Sequence, residues 1–390
     1  MDIAVLGAGN RAGKYLSCLP DGIRVRYIVE PEELRLRQSA VRYGVPQDGL
    51  FSSAEAFFSA PRTGVQAAIV ASPDRLHVPL ALECVRRGWH VLLEKPAATS
   101  EAEFLQLESA AREAGVHVAV CLEMRFHPLF RRVRELAASL GPLQEIDHTE
   151  HVGPDRMAHT FVRGLWSRVD AAGPIFLSKC CHDADFLLWL AGSEVEGKVE
   201  SKGSISLFRS NLAPENSAMR CVDCPLERSC RYSAVDLYRR RVEWVIGFDV
   251  PPGSSLVEVI EGELHDGRYG RCVWHCDNDV YDTQSVAAVL LNGVRLRISL
   301  EGTSAQEGRS TRIVGRDGVL TVEGGLVRLA PGDGSPALEE DYSSVMAAPL
   351  HAGADAALVR DFFNSIKEGR EPVSSLRSAF AGHRLCYLAD

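Results

Sequence analysis

The chain has 390 residues, of which 46% are hydrophobic and 24% are charged, and its formal net charge is -9. This length favours two domains over a single core, and the acidic balance argues against a nucleic-acid partner, whose binding face would need clustered Lys and Arg. No apolar run approaches membrane-spanning length and Met1 leads directly into a strand, so we expect a cytoplasmic protein without a membrane partner.

A glycine-rich turn lies near the start of the chain, within the sequence IAVLGAGNRAG. The apolar run from Ile3 to Leu6 predicts a buried strand, and the residues from about Arg11 onward predict a helix. Small residues fill the pattern G-x-G-x-x-A, which allows a tight turn, close approach of a pyrophosphate and close helix packing. We therefore predict that a dinucleotide binds through Gly7, Gly9, Asn10, Arg11 and Ala12.

An acidic residue, Glu30, follows the second predicted strand, Arg24 to Val29. It lies at the spacing where a carboxylate accepts hydrogen bonds from the ribose of NAD. The same carboxylate would repel a 2'-phosphate, so we predict NAD as the cofactor in preference to NADP. Arg35 and Arg37 keep NADP open as the alternative.

Strand-like runs alternate with amphipathic helices as far as about residue 122, which predicts a doubly wound parallel sheet in a Rossmann domain over residues 1–124. The predicted strands are Ile3 to Leu6, Arg24 to Val29, Ala67 to Ala71, His90 to Leu93 and His117 to Cys121. The predicted helices between them cover Glu32 to Tyr43, Pro79 to Arg87 and Ser100 to Ala114. A ligand crevice is expected at the C-terminal ends of these strands.

The pattern changes after Arg125, which predicts a second, α+β domain over residues 125–390 with a large, mostly antiparallel sheet. Helices are predicted for Pro128 to Ala138, Cys181 to Leu190 and Asp355 to Lys367. Period-two stretches predict strands at Leu256 to Leu264, Cys272 to His275, Ser285 to Leu291, Val294 to Leu300, Thr311 to Val314 and Val319 to Leu329. A cysteine-rich insertion occupies about residues 203–245.

Three loops of the first domain carry residues suited to chemistry. Ser72, Pro73 and His77 follow the third strand, and Glu94 and Lys95 follow the fourth. A lysine at the mouth of a nucleotide crevice is well placed to act on a substrate hydroxyl. The third loop, Arg125 to Pro128, crosses into the second domain. We predict that the first two loops contribute to the cofactor site and that Lys95 is catalytic.

A polar group of residues recurs along the otherwise apolar segment SKCCHDADFLLWLAG. If the segment is helical, Ser178, His182 and Asp185 fall on one face at spacings of four and three, with Lys179 beside them. A single buried histidine is usually satisfied within a core. Several polar residue types share this face, however, which favours a functional role for His182.

These motifs together resemble the Gfo/Idh/MocA family, the glucose-fructose oxidoreductase and inositol dehydrogenase group. GAGNRA, Glu30, SPDRLH, HVLLEKP, MRFHP and CHDADFLLWLAG occur in that family's order, and HAGADAALVRDFFNSIKEG resembles its late helix. The resemblance implies an NAD-dependent oxidoreductase that transfers hydride to or from a carbohydrate or cyclitol carbon. It further implies that Lys95 is the lysine of the EKP motif, that His182 is the acid/base with Asp185 in support, and that the chain forms a homodimer or homotetramer.

One position departs from the family pattern. Many members carry an aspartate four residues before the histidine, where this chain has Ser178 followed by Lys179. A serine cannot act as a carboxylate, so the proton relay is altered and Asp183 or Lys179 takes a changed role. A lyase or glycosidase that oxidises its sugar transiently is therefore an alternative function. A regulatory protein that senses nucleotide without turnover is a further one.

The 11 cysteines are expected to be reduced thiols in the cytoplasm. Cys221, Cys224 and Cys230 form C-x-x-C-x5-C in a polar loop, a spacing suited to a tetrahedral zinc site. Cys272 is the preferred fourth ligand, with Cys276 or a histidine as alternatives. We predict a structural zinc that orders the insertion, against the alternative of unliganded thiols in a surface loop.

Overall fold

A computed structural model describes residues 1–59, 64–241, 244, 250 and 253–390. Its first sheet is entirely parallel, with strand order β3-β2-β1-β4-β5-β6. The strands are β1 Asp2–Leu6, β2 Arg24–Val29, β3 Leu50–Phe51, β4 Val65–Val70, β5 His90–Leu93 and β6 Val118–Val120. This is the doubly wound order, so the predicted Rossmann fold is confirmed.

Helices cover both faces of this sheet. In the N-terminal part they are α1 Asn10–Leu16, α2 Glu33–Tyr43, α3 Ala54–Phe58, α4 His77–Arg86 and α5 Glu101–Ala114. The side chain of Ser100 caps α5 by accepting from the Glu103 amide, and the helix ends at Gly115 in the left-handed conformation that glycine favours. The Glu103 carboxylate accepts from Thr99, so only half of a capping box is present.

The last part of the chain returns to the first sheet. Helices α10 Ala354–Glu368 and α11 Leu376–Leu388 follow the second sheet; those numbered α6 to α9 lie between and are bounded below. Leu358 and Phe362 of α10 join the core formed by one face of the sheet, and Leu376 of α11 joins the core on the other. The helix predicted at Asp355 to Lys367 is confirmed as α10, whereas α11 was not predicted. The boundary between residues 124 and 125 stays a prediction.

The second sheet is mixed and mostly antiparallel, with strand order β14-β13-β12-β11-β7-β10-β9-β8. Its strands are β7 Leu143–His151, β8 Glu200–Ser204, β9 Thr283–Val289, β10 Arg295–Glu301, β11 Gly308–Gly315, β12 Gly318–Glu323, β13 Leu326–Pro331 and β14 Leu338–Asp341. Strands β7 and β10 pair in parallel, and the other pairs are antiparallel.

One face of this sheet packs on helices α6 Pro128–Ala138 and α7 Ile175–Ala191. Alternation along the strands sends Ile146, Leu296 and Ile313 into the shared core. On the opposite face, Arg297 of β10 pairs with Asp147 of the neighbouring strand β7. Arg295 of β10 and Arg312 of β11 also pair with Glu145 of β7, so this part of the outer face is charged.

Two of the predicted strands are wrong. Leu256 to Leu264 lies in helix α9, Leu256–His265, because Ser255 and Glu258 form a complete capping box and the apolar residues also fit helical spacing. Cys272 to His275 contains a short 3-10 turn, Val273–His275, and no strand. The run Val319 to Leu329 is a hairpin, since Gly324 and Gly325 adopt positive φ between β12 and β13.

The insertion holds short 3-10 turns and helix α8 Ala234–Arg240. Residues 242–243 and 245 of the predicted insertion range lie outside the described residues. Among the helices that the structure describes, none combines the length and apolar character needed to cross a membrane.

Candidate active site

The glycine turn connects β1 to α1 at the C-terminal edge of the first sheet. Gly7 has φ +88, and a Cβ there would lie 2.4 Å from the carbonyl oxygen of Ala71. A Cβ on Gly9 would meet nothing within 4 Å, so the backbone is open on that side. Ala12 is fully buried beneath the turn, and the Asn10 side chain is exposed. The turn thus has the cradle that a pyrophosphate requires.

Glu30 lies beside this turn and is almost fully buried. Its Oε2 accepts a hydrogen bond from the Ala8 amide at 2.8 Å, and its Oε1 accepts from the Glu32 amide at 3.1 Å. The Arg35 Nη1 also lies 3.3 Å from Oε1. The predicted ribose-binding carboxylate is therefore held at the end of β2, next to the glycine turn.

His77 joins the two loops that follow β4 and β5. Its ring nitrogens lie 2.7 Å from the carbonyl oxygen of Pro96 and 2.8 Å from that of Ser72. This pairing fixes both loops, with Pro73 lying between Ser72 and the 3-10 turn that starts at Asp74. The Ser72 hydroxyl is buried and has no hydrogen-bond partner among the described residues, which suits a group that binds a cofactor.

Two side chains of helix α1 bind the carboxylate of Glu94. The Arg11 Nε donates to Glu94 Oε1 at 2.6 Å, and the Tyr15 hydroxyl donates to the same oxygen at 2.5 Å. Burial opposes ionisation of Glu94, but Arg11 and Lys95 together lower its pKa below the ordinary value. The carboxylate also accepts from the Lys95 amide at 2.7 Å, which sets the direction of the lysine.

Lys95 extends from the end of β5 to helix α7. Its Nζ donates a hydrogen bond to the backbone oxygen of Ser178 at 2.6 Å. Burial opposes its charge, but neighbouring acidic groups, Glu94 and Asp74 among them, raise its pKa above the ordinary value. The ammonium is therefore a hydrogen-bond donor at neutral pH and not a base.

His182 lies one helical turn further along α7 and is 7% exposed. Its Nε2 is 3.4 Å from Glu123 Oε2, and its Nδ1 is buried without a hydrogen-bond partner in the described chain. Burial lowers the pKa of His182 well below its ordinary value, and the charges of Lys95 and Arg309 add to this effect. The imidazole is therefore neutral, as a base must be.

Ser178 is close to a carboxylate that comes from the first domain. Its Oγ lies 3.4 Å from Asp74 Oδ2 and also donates to the backbone oxygen of Ala172 at 3.3 Å. Burial raises the pKa of Asp74, whose Oδ2 also accepts from Trp166 Nε1 at 3.2 Å. The family aspartate is therefore replaced by a serine at position 178, and the carboxyl group next to that position belongs to Asp74.

Asp185, which we predicted to support the site, faces elsewhere. Both of its carboxylate oxygens accept from Arg125, at 2.8 Å from Nε and 2.6 Å from Nη2. Gly382 of α11 packs directly against the Asp185 backbone, where a Cβ would lie 2.6 Å away. The pair is buried at the junction of α7, α11 and the loop before α6, so the structure does not bring Asp185 to His182.

Asp183 is the centre of a polar network behind the site. Arg309 Nε lies 2.5 Å from Asp183 Oδ1, and His148 Nε2 lies 3.2 Å from it. Burial opposes ionisation of Asp183, but Arg309 and His148 hold its pKa below the ordinary value. Lys179 Nζ lies 2.5 Å from Glu150 Oε1, which adds a second ion pair. Arg309 Nε also lies 3.0 Å from Glu150 Oε2, so the two ion pairs form one network.

Sequence reasoning missed Glu123 and Arg309. Glu123 immediately precedes the MRFHP motif, so extending that motif by one residue would have included it. Arg309 carries no local signal, because only the pairing of β11 with β7 brings it to α7.

The predicted zinc site is not formed. In the part of the chain that the structure describes, no three His, Cys, Asp or Glu side chains are grouped to hold a metal ion. The Sγ of Cys221 accepts from the Ala234 amide at 3.4 Å and from Arg163 at 3.7 Å, within a small apolar core. Cys272 precedes a 3-10 turn, and Cys224 and Cys230 are partly exposed.

Residues 1–122 match the model of the Gfo/Idh/MocA family, described as an oxidoreductase family with an NAD-binding Rossmann fold. Inositol 2-dehydrogenase 2 of Saccharopolyspora erythraea is 29% identical over 202 residues, which are 50% of this chain and 55% of that protein. The chain thus matches the curated relatives over about half of their length.

Solved structures share the fold over nearly the whole chain. An oxidoreductase from Agrobacterium radiobacter, in complex with NAD+, L-tartaric acid and magnesium, has a TM-score of 0.69 at 13% identity, covering 99% of this chain and 94% of that one. Aldose-aldose oxidoreductase from Caulobacter crescentus has a TM-score of 0.65 at 18% identity, covering 100% and 97%. The two-sheet architecture is therefore shared with these proteins, and residues 1–122 match the Gfo/Idh/MocA family of oxidoreductases with an NAD-binding Rossmann fold.

Proposed function

We propose that the protein is an NAD-dependent oxidoreductase that transfers hydride between the nicotinamide and a CH–OH carbon of a carbohydrate or cyclitol. One observation carries the proposal. Lys95, at the end of β5, reaches the same turn of α7 that presents His182, next to the glycine turn. This combines a fixed cation and a neutral base at the C-terminal edge of a dinucleotide-binding sheet.

The residues present fit the cofactor. The open backbone at Gly9 and the unpartnered Ser72 hydroxyl are suited to its phosphates and ribose, and Glu30 is suited to a ribose diol. When bound, NAD supplies the hydride acceptor. The negative charge of Glu30 supports NAD over NADP, whose extra phosphate it would repel.

The protein's own groups would move the hydroxyl proton. His182 takes that proton on its unprotonated ring nitrogen, because its lowered pKa keeps it neutral. Lys95, which stays protonated, donates a hydrogen bond to the same oxygen and stabilises its developing charge. Glu123 Oε2 lies 3.4 Å from His182 Nε2 and is placed to orient the imidazole.

Relatives of similar sequence and fold support this substrate class. Inositol 2-dehydrogenase 2 of Saccharopolyspora erythraea and aldose-aldose oxidoreductase from Caulobacter crescentus are named for a cyclitol and for aldoses. We carry this class over to the present chain as part of the proposal. A homo-oligomer is likewise carried over as a proposal from the family resemblance.

The test is nicotinamide absorbance across a panel of aldoses, polyols and cyclitols, with NAD and NADP in parallel. We expect reduction of NAD by at least one compound, and weaker binding of NADP. Product analysis accompanies each assay, because product formation without net change in absorbance would indicate transient oxidation and elimination. No turnover of either kind across the panel would refute the proposal.

Variants test the assigned residues. Lys95→Ala and His182→Asn should each lower turnover by on the order of a hundredfold, the scale of a positioned acid/base, while NAD still binds. His265→Asn is the matched control, because His265 is exposed on α9. Near-normal turnover in both site variants would refute their assignment.

A further inference from the structure

Arg309 is fixed at one end and open at the other. It stands directly opposite Glu150 in the pairing of β11 with β7, on the face of the sheet that packs against α7. Its Nε lies 2.5 Å from Asp183 Oδ1 and 3.0 Å from Glu150 Oε2. Two buried carboxylates therefore hold the guanidinium through the nitrogen nearest the backbone.

The outer edge of this guanidinium is available. Within the described residues, neither Nη1 nor Nη2 of Arg309 donates a hydrogen bond, and the side chain is 21% exposed. A guanidinium anchored at Nε presents its two terminal nitrogens in a planar fork. That fork matches the two oxygens of a carboxylate or a phosphate, and holding it in place beforehand reduces the entropy lost on binding.

The open edge belongs to the same cleft as the proposed base. Asp183, which anchors Arg309, directly follows His182 in α7. The charge of Arg309 contributes to the lowered pKa of His182 and of His127, and Glu123 contributes to the raised pKa of Arg309. Lys179 precedes His182 by three residues and so shares its face of α7, and Arg309 is ion-paired to the residue that follows His182.

A second cation has the same arrangement. Lys179 Nζ is held by Glu150 Oε1 at 2.5 Å, and the lysine side chain is 19% exposed. By contrast, the side chains of Glu150 and Asp183 are 3% and 0% exposed. The two acids lie behind the two cations. The network is balanced in formal charge, yet the surface that it turns to the cleft is cationic.

We propose that the substrate carries an anionic group, a carboxylate or a phosphate, which binds the Nη1 and Nη2 of Arg309 with Lys179 beside it. The substrate class would then be acidic sugars or polyols in preference to neutral ones. This inference rests on the proposed function and deepens it, because the same cleft holds both the reacting hydroxyl near His182 and the anion.

The test uses matched pairs of compounds with wild type and Arg309→Gln. D-glucose is compared with D-glucuronate and with glucose 6-phosphate, and D-galactose with D-galacturonate. We expect wild type to prefer an acidic member of a pair. Arg309→Gln should raise the KM for that acid about ten- to hundredfold, the range for a lost charged hydrogen bond, and change the KM for the neutral member far less, with any effect on kcat common to both members of the pair. The uronate and phosphate arms identify the anion.

A control on the same strand separates charge from folding. Arg312 lies on the outer face of β11 and pairs with Glu145, so Arg312→Gln removes an equal charge away from the cleft. It should leave the KM for both members of each pair unchanged. Arg309→Lys keeps the charge without the fork and should restore only part of the affinity for the acid.

Calorimetric titration of the same compounds into NAD-loaded protein provides a readout that does not require turnover. Anion binding that Arg309→Gln abolishes, in a protein that reduces no NAD, would support the anion site and refute the redox function. Turnover of neutral compounds at least equal to that of acids, unchanged in Arg309→Gln, would overturn the anion site alone. Absence of both binding and turnover would overturn both proposals.

Discussion

Asp185 provides a direct test of whether a polar residue on α7 serves folding or chemistry. The change Asp185→Asn removes the negative charge from a buried pair in which Arg125 is 5% and Asp185 2% exposed. It also replaces an oxygen acceptor with an amide donor that faces the guanidinium. The Arg125 charge then stays buried without its counter-ion.

The expected loss in the free energy of unfolding depends on the hydrogen bonds that Arg125 keeps in the variant. Removing one partner of a buried ion pair destabilises a protein by about 3–5 kcal/mol. Arg125 keeps hydrogen bonds to the backbone oxygens of Val373 and Ser378 and to the Ser378 hydroxyl, so we expect the lower end, about 3 kcal/mol. Such a loss is a large fraction of the stability of an ordinary domain.

Urea unfolding measures the loss, and turnover per folded molecule measures the chemistry. We expect Asp185→Asn to unfold at lower urea with nearly normal turnover below the transition, whereas His182→Asn should show the reverse. Asp2→Asn is a control, because the Arg24 side chain of that pair is 72% exposed and the change should have little effect on unfolding. Unchanged unfolding of Asp185→Asn with a large loss of turnover would show that Asp185 acts in the reaction.

Three further predictions concern the glycine turn, pH and assembly. Gly7→Ala should both destabilise the fold and abolish NAD binding, because the added Cβ would lie 2.4 Å from the carbonyl oxygen of Ala71. Gly9→Ala should unfold like the wild type and lose only affinity for NAD, since its Cβ would meet nothing within 4 Å. Equal stability of the two variants in urea would contradict this prediction. His383 is neutral in the fold, where it accepts from the Ala97 amide and burial lowers its pKa to about 4. Below a pH of about 6.5 the unfolded chain binds a proton on this histidine that the folded protein does not, so the free energy of unfolding should fall as pH decreases from 6.5 towards 4. This group contributes a loss of up to about 1.4 kcal/mol per pH unit. His383→Gln should reduce the dependence of the free energy of unfolding on pH, measured by urea unfolding. Light scattering at micromolar concentration should give a mass above the 42.6 kDa of one chain. If the oligomer forms through the charged sheet face, its subunits should dissociate as the salt concentration rises. A monomer at low salt would refute both statements.

Elements with a strong local signal follow from the sequence. The helix Pro128–Ala138 has the predicted bounds, since a proline begins it and its apolar residues repeat at helical spacing. The glycine turn and five strands of the first sheet are similarly predictable, because parallel strands buried on both faces read as continuous apolar runs, whereas the two-residue strand Leu50–Phe51 was not predicted. The segment Leu256–His265 shows the limit of this signal, because its short apolar run fits both the strand period and the helical period. The capping box at Ser255 is what favours the helix.

The sequence by itself was enough to predict the dinucleotide-binding fold and to select Lys95 and His182 as candidate site residues, because motifs of adjacent residues specify them. Only the tertiary structure decided which charges meet. Asp183 and Asp185 differ by two positions on one helix, yet one pairs with Arg309 from the second sheet and the other with Arg125 from the domain junction. Such long-range pairs depend on strand order and helix packing, for which a local sequence pattern carries no information.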